Sequence, residues 1–189
     1  PVAGSEIEVR LSLATSNGKP ITTSDLLMVH THLLHLMIID PQLMDYQHVH
    51  PVPTSEPGEW IFRFTPVYGG EYRFFADFTP AATGLGLYAN ANLDISGASP
   101  TPEAVAIAHQ SSWSNTQGNF QFELKPDKDG KVGMGEEALL TLSITEKQGG
   151  EVPLRPVMGA YAHVVAFDEN RMGFAHLHPE EANLLATPD

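Results

Sequence analysis

The segment Glu6-Ile-Glu-Val-Arg-Leu-Ser-Leu13 alternates polar and apolar side chains, the period of a strand with one buried face. Asn17-Gly18 follows it, a dipeptide that accepts positive φ and turns hairpins. Leu33 to Ile39, Trp60 to Thr65, Glu71 to Phe78 and Leu87 to Ile95 are of the same kind. They are short, rich in β-branched and aromatic residues, and punctuated by Gly69-Gly70 and Thr79-Pro80. Five such strands make one sandwich. Ser96 to Gly118 mixes Gly, Pro, Ser and Asn around a short Glu103 to His109 stretch and reads as a linker. Strand signals resume at Asn119-Phe-Gln-Phe-Glu-Leu124, turn at Asp127-Lys-Asp-Gly130, and continue through Ala138 to Thr145 and Tyr161 to Phe167. The pattern predicts an all-β chain of two tandem sandwiches, residues 1–97 and 119–189, joined by a linker over 98–118.

One passage occurs twice. His35-Leu-Met-Ile-Ile-Asp40-Pro-Gln-Leu-Met44-Asp-Tyr-Gln-His48-Val-His50-Pro51 returns as His163-Val-Val-Ala-Phe-Asp168-Glu-Asn-Arg-Met172-Gly-Phe-Ala-His176-Leu-His178-Pro179, offset by 128 residues without a gap. The matches fall on His, Asp, Met and Pro rather than on generic apolar positions, so a local structure and its chemistry are repeated together. After Pro51 the first copy has some 45 residues carrying three strands; after Pro179 ten remain. The second sandwich therefore reads as unfinished, either a fragment or a sheet completed by strands of a second subunit or a partner. Glu180 to Leu185 is compatible with one closing helical turn.

In a strand, residues i and i+2 share a face, so His48 and His50 are presented together, and likewise His176 and His178. If residues 39 and 46 face one another across the hairpin, His35 lies opposite His50; if 40 and 43 do, it lies opposite His48. Either way three imidazoles share one face, and the same arithmetic applies to His163, His176 and His178. Three neutral imidazoles on rigid neighbouring strands are a ligand set for copper, zinc, nickel or iron with a fourth position open. A fourth ligand is sought five residues before the first His, where His30 and Met158 stand at equivalent positions. An imidazole site and an imidazole–thioether site together point to copper, because soft sulfur selects Cu(I).

The alternative is a core network of hydrogen-bonded histidines with Asp40 and Asp168 as partners. Those two aspartates are also placed to cap their turns. Met44 and Met172 read as space-filling thioethers rather than ligands. His32 and His109 have no counterpart under the repeat and are assigned to the surface.

Composition narrows the function. A formal charge of −13 with only ten Lys and Arg repels phosphate backbones and anionic lipid, so nucleic acid is excluded as a partner. There is no cysteine, which removes disulfides, thiolate metal sites and thiol catalysis. The chain opens at Pro1 and reads as a processed product, and no apolar run approaches the roughly 18 residues of a membrane span. Paired carboxylates or a nucleophile–base set for hydrolysis are not evident.

The pattern around His35, Asp40 and His48-Val-His50-Pro51, followed by Gly70-Glu-Tyr-Arg-Phe-Phe-Ala-Asp-Phe-Thr-Pro80, resembles exported bacterial β-sandwich proteins described as heavy-metal-binding or YtkA-like. Leu154-Arg-Pro-Val-Met-Gly159-Ala-Tyr-Ala-His163 with His176-Leu-His178-Pro179 is similar to their second half. The resemblance implies an immunoglobulin-like or cupredoxin-like fold and a periplasmic, secreted or cell-surface setting. The expected function is a noncatalytic module that buffers or relays copper, with zinc as the other metal and a metal-delivery protein as a partner. Two other expectations stand beside it: an adhesion or structural sandwich without a cofactor, whose histidines tie the hairpins, and a copper-dependent redox enzyme.

Overall fold

A computed structural model of the chain describes residues 1–110, 112–127, 132–150 and 152–179. Most of the turn expected at Asp127–Gly130 and the helical turn expected at Glu180–Leu185 lie outside those residues. Strand makes up 46% of the chain, and the fold is an all-β sandwich.

Alternation in the sequence becomes extended chain with one face inward. In order, the strands are β1 (Ile7–Ser12), β2 (Leu26–Leu27), β3 (His35–Ile39), β4 (Tyr46–Val49), β5 (Val52–Pro53), β6 (Glu59–Phe64), β7 (Gly70–Pro80) and β8 (Leu87–Ile95). After a short helix α1 (Pro102–Ala108) come β9 (Ser114–Gln117), β10 (Phe120–Pro126), β11 (Leu140–Glu146), β12 (Val164–Phe167) and β13 (Phe174–Leu177). The helix stands where a linker is expected. Thr101 explains its start: the hydroxyl accepts the Ala104 N–H at 3.2 Å, and Pro102 holds the first helical position, where no amide hydrogen is required.

By packing the described chain forms two compact units, residues 1–108 with those from 156 onward, and residues 109–155. This grouping differs from the sequence boundaries at 97 and 119, because the β12–β13 hairpin packs with the first sandwich. The smaller unit is an antiparallel sheet in the order β11-β10-β9, with few of its side chains covered.

The larger unit is layered. One sheet runs β1-β6-β5; the other runs β2-β7-β3-β4, with β8 also paired along β7. Between them lies a core of Leu13, Leu34, Leu36, Ile38, Trp60, Phe62, Phe64, Tyr72, Phe74 and their neighbours. On the far side of the second sheet a smaller cluster joins Met37, Ile39 and Phe75 to Leu43, Val165, Phe167 and Phe174. β3 is consequently buried at every position: Leu36 and Ile38 face the sandwich core, while His35, Met37 and Ile39 face the β12–β13 hairpin. A strand covered on both faces reads as a continuous apolar run, as His35-Leu-Met-Ile-Ile39 does.

The loop after β3 is fixed from within. Asp40 is fully buried, and its carboxylate accepts the backbone N–H groups of Gln42, Met44 and Asp45 at 3.1, 2.6 and 2.8 Å. Asp168 does the same for Asn170 and Gly173 at 2.8 and 2.6 Å. Leu43 and Arg171, again 128 residues apart, both take positive φ, 56° and 55°. Both aspartates cap their turns, as expected. With the loop conformation set, the hairpin register is set: Ile39 pairs with Tyr46 and Leu36 with Val49, while Phe167 pairs with Phe174 and Val164 with Leu177.

Candidate metal centre

That register is the first of the two considered above, and it carries His35 opposite His50 with His48 beside them on the same face. The Nδ1 of His35 lies 3.3 Å from His48 Nε2 and 3.2 Å from His50 Nε2. In the second hairpin His163 Nδ1 lies 3.4 Å from His176 Nε2 and 3.0 Å from His178 Nε2. In each triad one nitrogen per ring falls within 4.8 Å of the others, so each group can hold a metal ion.

The protonation pattern follows from the backbone. His35 Nε2 is 3.0 Å from the carbonyl oxygen of Val29, and His163 Nε2 is 2.8 Å from that of Val157. A carbonyl only accepts, so each Nε2 carries the hydrogen and each Nδ1 is left with a bare lone pair. This outward bond is how a metal-ligating histidine is normally oriented and held in one tautomer.

Both carbonyls belong to tight turns of the same design. Val29 and His32 exchange backbone bonds around His30 (φ 46°) and Thr31 (φ 70°); Val157 and Ala160 do so around Met158 (φ 51°) and Gly159 (φ 79°). Positive φ at a β-branched threonine is a strained arrangement, and strain of this kind collects at functional sites.

Five of the triad imidazoles, His35, His48, His50, His176 and His178, are held neutral. Burial pushes His48 down to about 3, with His50 and His35 adding to the effect. Burial pushes His50 and His178 down to about 4, helped by His32 and by His30 respectively. His35 and His176 are also lowered by burial, against the opposing pull of Val29 and Asp77 on the first and of Asp77 on the second. At neutral pH no proton has to leave these rings before an ion binds.

His30 and Met158 occupy equivalent turns, but His30 reaches across. Its ring centroid is 4.0 Å from that of His178 and 6.3 Å from that of His35, so it lies against the second triad rather than its own. Met158 is half-buried. Met44 is half-buried too, while Met172 is 64% exposed with its sulfur 3.9 Å from the Arg73 guanidinium.

Two residues of the site had no signal in the repeat. His32, assigned to the surface, is half-buried and stacks on His50 with centroids 3.8 Å apart and planes 14° from parallel. Asp77, on β7 directly across from His35, brings a carboxylate oxygen to 3.6 Å from His176 Nδ1. His109 is exposed, as expected. Eight of the nine histidines therefore gather in one place, beside a cavity of about 240 Å³ lined by His30, His32, His35, Asp77, His176 and His178.

The profile of a family described as "Domain of unknown function (DUF8832)" matches residues 1–89 and 115–189, and the chain belongs to that family. No curated protein and no solved structure matches it. No helix among the described residues is long and apolar enough to cross a membrane.

Proposed function

We propose that this DUF8832 protein is a noncatalytic metal-binding module that takes copper, or zinc, through two three-histidine sites. One observation carries the reading: in each triad a single Nδ1 faces two Nε2 atoms, at separations that a shared metal ion would set. An ion bound tetrahedrally at 2.0–2.1 Å sets its nitrogens about 3.3 to 3.4 Å apart. From Nδ1 to the two Nε2 atoms of each triad the separations are 3.0 to 3.4 Å. In a hydrogen-bond network, by contrast, the single lone pair of His35 Nδ1 would have to serve both His48 and His50. The lone pair of His163 Nδ1 faces the same two claims. A metal resolves the conflict, since all three lone pairs then point at one atom.

The donors are neutral nitrogen, which suits Cu(II), Cu(I) and Zn(II) and disfavours the hard cations calcium and magnesium. The overall charge of −13 raises the local cation concentration. Buffering or relay outside the cytoplasm goes with the resemblance to exported heavy-metal-binding sandwiches, and half-buried rings beside an open cavity suit an ion that must enter and leave.

The test is a titration of the chelator-stripped protein with Cu(II), Cu(I) and Zn(II) under competition, counting bound ions by native mass spectrometry. Two ions per wild-type chain are expected, falling to one in His48→Ala and to one in His176→Ala. No tight binding of any of the three would leave histidines that serve only the fold.

A further inference from the structure

The two triads belong to different hairpins, 128 residues apart in sequence, yet they share one space. β3 turns His35, Met37 and Ile39 to the same side, and Tyr46 joins them from β4. The facing hairpin offers His163, Val165 and Phe167 from one edge and Phe174, His176 and His178 from the other. At one end the two faces meet through apolar contacts: Phe75 lies 5.1 Å from Phe174 and 5.9 Å from Phe167, and Tyr46 lies 5.6 Å from Phe167. That packing fixes the other end, where the histidines stand. The His48 and His176 rings are 5.4 Å apart and those of His35 and His176 5.9 Å.

The turn at Val29–His32 touches both triads. His30 lies over His178 at 4.0 Å and 6.1 Å from His163, while His32 lies on His50 at 3.8 Å. Asp77 sits between them, paired in register with His35 and facing His176 Nδ1. A carboxylate there orients His176 so that Nε2 points at its triad, and places a negative charge beside both sites.

We infer that the two triads form one binuclear centre, in which two ions bind between facing hairpins and are coupled through the shared His30–His32 turn and Asp77. The inference rests on the metal-binding reading above. Faces of packed layers lie about 10 Å apart, so two ions held on opposite faces, each reaching inward, are closer than that. Like charges at such separation repel. The second ion should therefore bind at least tenfold more weakly than the first, although the triads are alike in donors.

The experiment is Cu(II) loading at one and two equivalents, read by electron paramagnetic resonance together with the ion count. A half-field transition arises only when two Cu(II) ions lie within several ångströms of each other. It is expected in the wild type at two equivalents, and absent in His48→Ala and His176→Ala; His48→Gln and His176→Gln, which keep the side-chain bulk, guard against a folding defect. Two bound ions that give the full signal of isolated Cu(II) and no half-field transition would overturn the binuclear centre and leave two separate metal sites. One ion per chain, lost in either variant, would overturn it in favour of a single composite site. No bound ion would remove the metal reading itself.

Discussion

The two hairpins carry the same histidines at the same spacing, but they are supported differently. The first is built into a five-stranded sheet, with β3 buried on both faces and His35 4% exposed. The second is a two-stranded ribbon none of whose residues is fully buried. An isolated hairpin is marginal in water, so β12–β13 owes its geometry to what it lies on. The lesson is that the same histidine triad can stand on a second short hairpin, provided the first offers a surface that supports it. Arg171 adds to that attachment by donating to the Glu71 carbonyl at 2.7 Å.

The contrast is broken most directly at Phe75. Its ring is fully buried on β7 and meets Phe167, Phe174 and Tyr88. Phe75→Ala should cost about 3 to 5 kcal/mol in urea unfolding, as large core truncations do. Phe174→Ala removes a half-buried ring from the other side of the same contact and should cost about 1 to 2 kcal/mol, with the loss confined to the second hairpin in hydrogen exchange. Equal costs, or loss of protection across both hairpins in Phe174→Ala, would mean that the second hairpin is as integral as the first.

Acid sharpens the comparison next. His48 is held down at about 3, His50 and His178 at about 4, and His35 and His176 are lowered. In the unfolded chain these groups titrate near 6.5. Between those values the unfolded state binds more protons, so the stability of the metal-free protein rises with pH. The contribution is complete above about pH 6.5 and is lost progressively as the pH falls to between 4 and 3. Urea midpoints measured from pH 7 to 4 should fall in the wild type and fall less in His48→Gln. A flat profile would show that the rings are not kept neutral by the fold.

Part of this arrangement was legible in the sequence, and the reason is local. The unbroken spacing between His35, Asp40, His48 and His50 fixes a hairpin, and period-2 geometry then sets which rings share a face; the register with His35 opposite His50 was one of two candidates. Asp40 and Asp168 showed their turn-capping role because the amides they bind are within five residues. The packing of one hairpin on the other was not legible. It depends on contacts such as Phe75 with Phe174, and a pair so distant in sequence leaves no period to read. The same applies to His30, expected as a fourth ligand of its own triad, whose side chain crosses to the other one. His32 was missed because Ala160 stands at its equivalent, and Asp77 because a lone aspartate in a strand resembles any solvent-facing polar residue.

The smallest expected effect lies in the turns that hold His35 and His163. Both turns require positive φ at their second central position, which is Thr31 in the first copy and Gly159 in the second. Threonine there is strained, whereas glycine is at ease. Thr31→Gly should stabilise the metal-free protein by about 1 kcal/mol or less, because the relief is offset by the added freedom of the unfolded chain and by loss of the 3.1 Å contact with His32. Gly159→Thr should do the reverse, by about 1 to 2 kcal/mol; no atom lies within 4 Å of the Cβ it would add, so the cost is mainly one of backbone conformation. The pair of variants exchanges the two turns. If Thr31→Gly also weakens metal binding at the first triad while Gly159→Thr leaves the second unchanged, the strain at Thr31 holds the Val29 carbonyl against His35, and the first site is the preorganised one. If neither variant alters binding, the difference between the hairpins lies wholly in the layers beneath them.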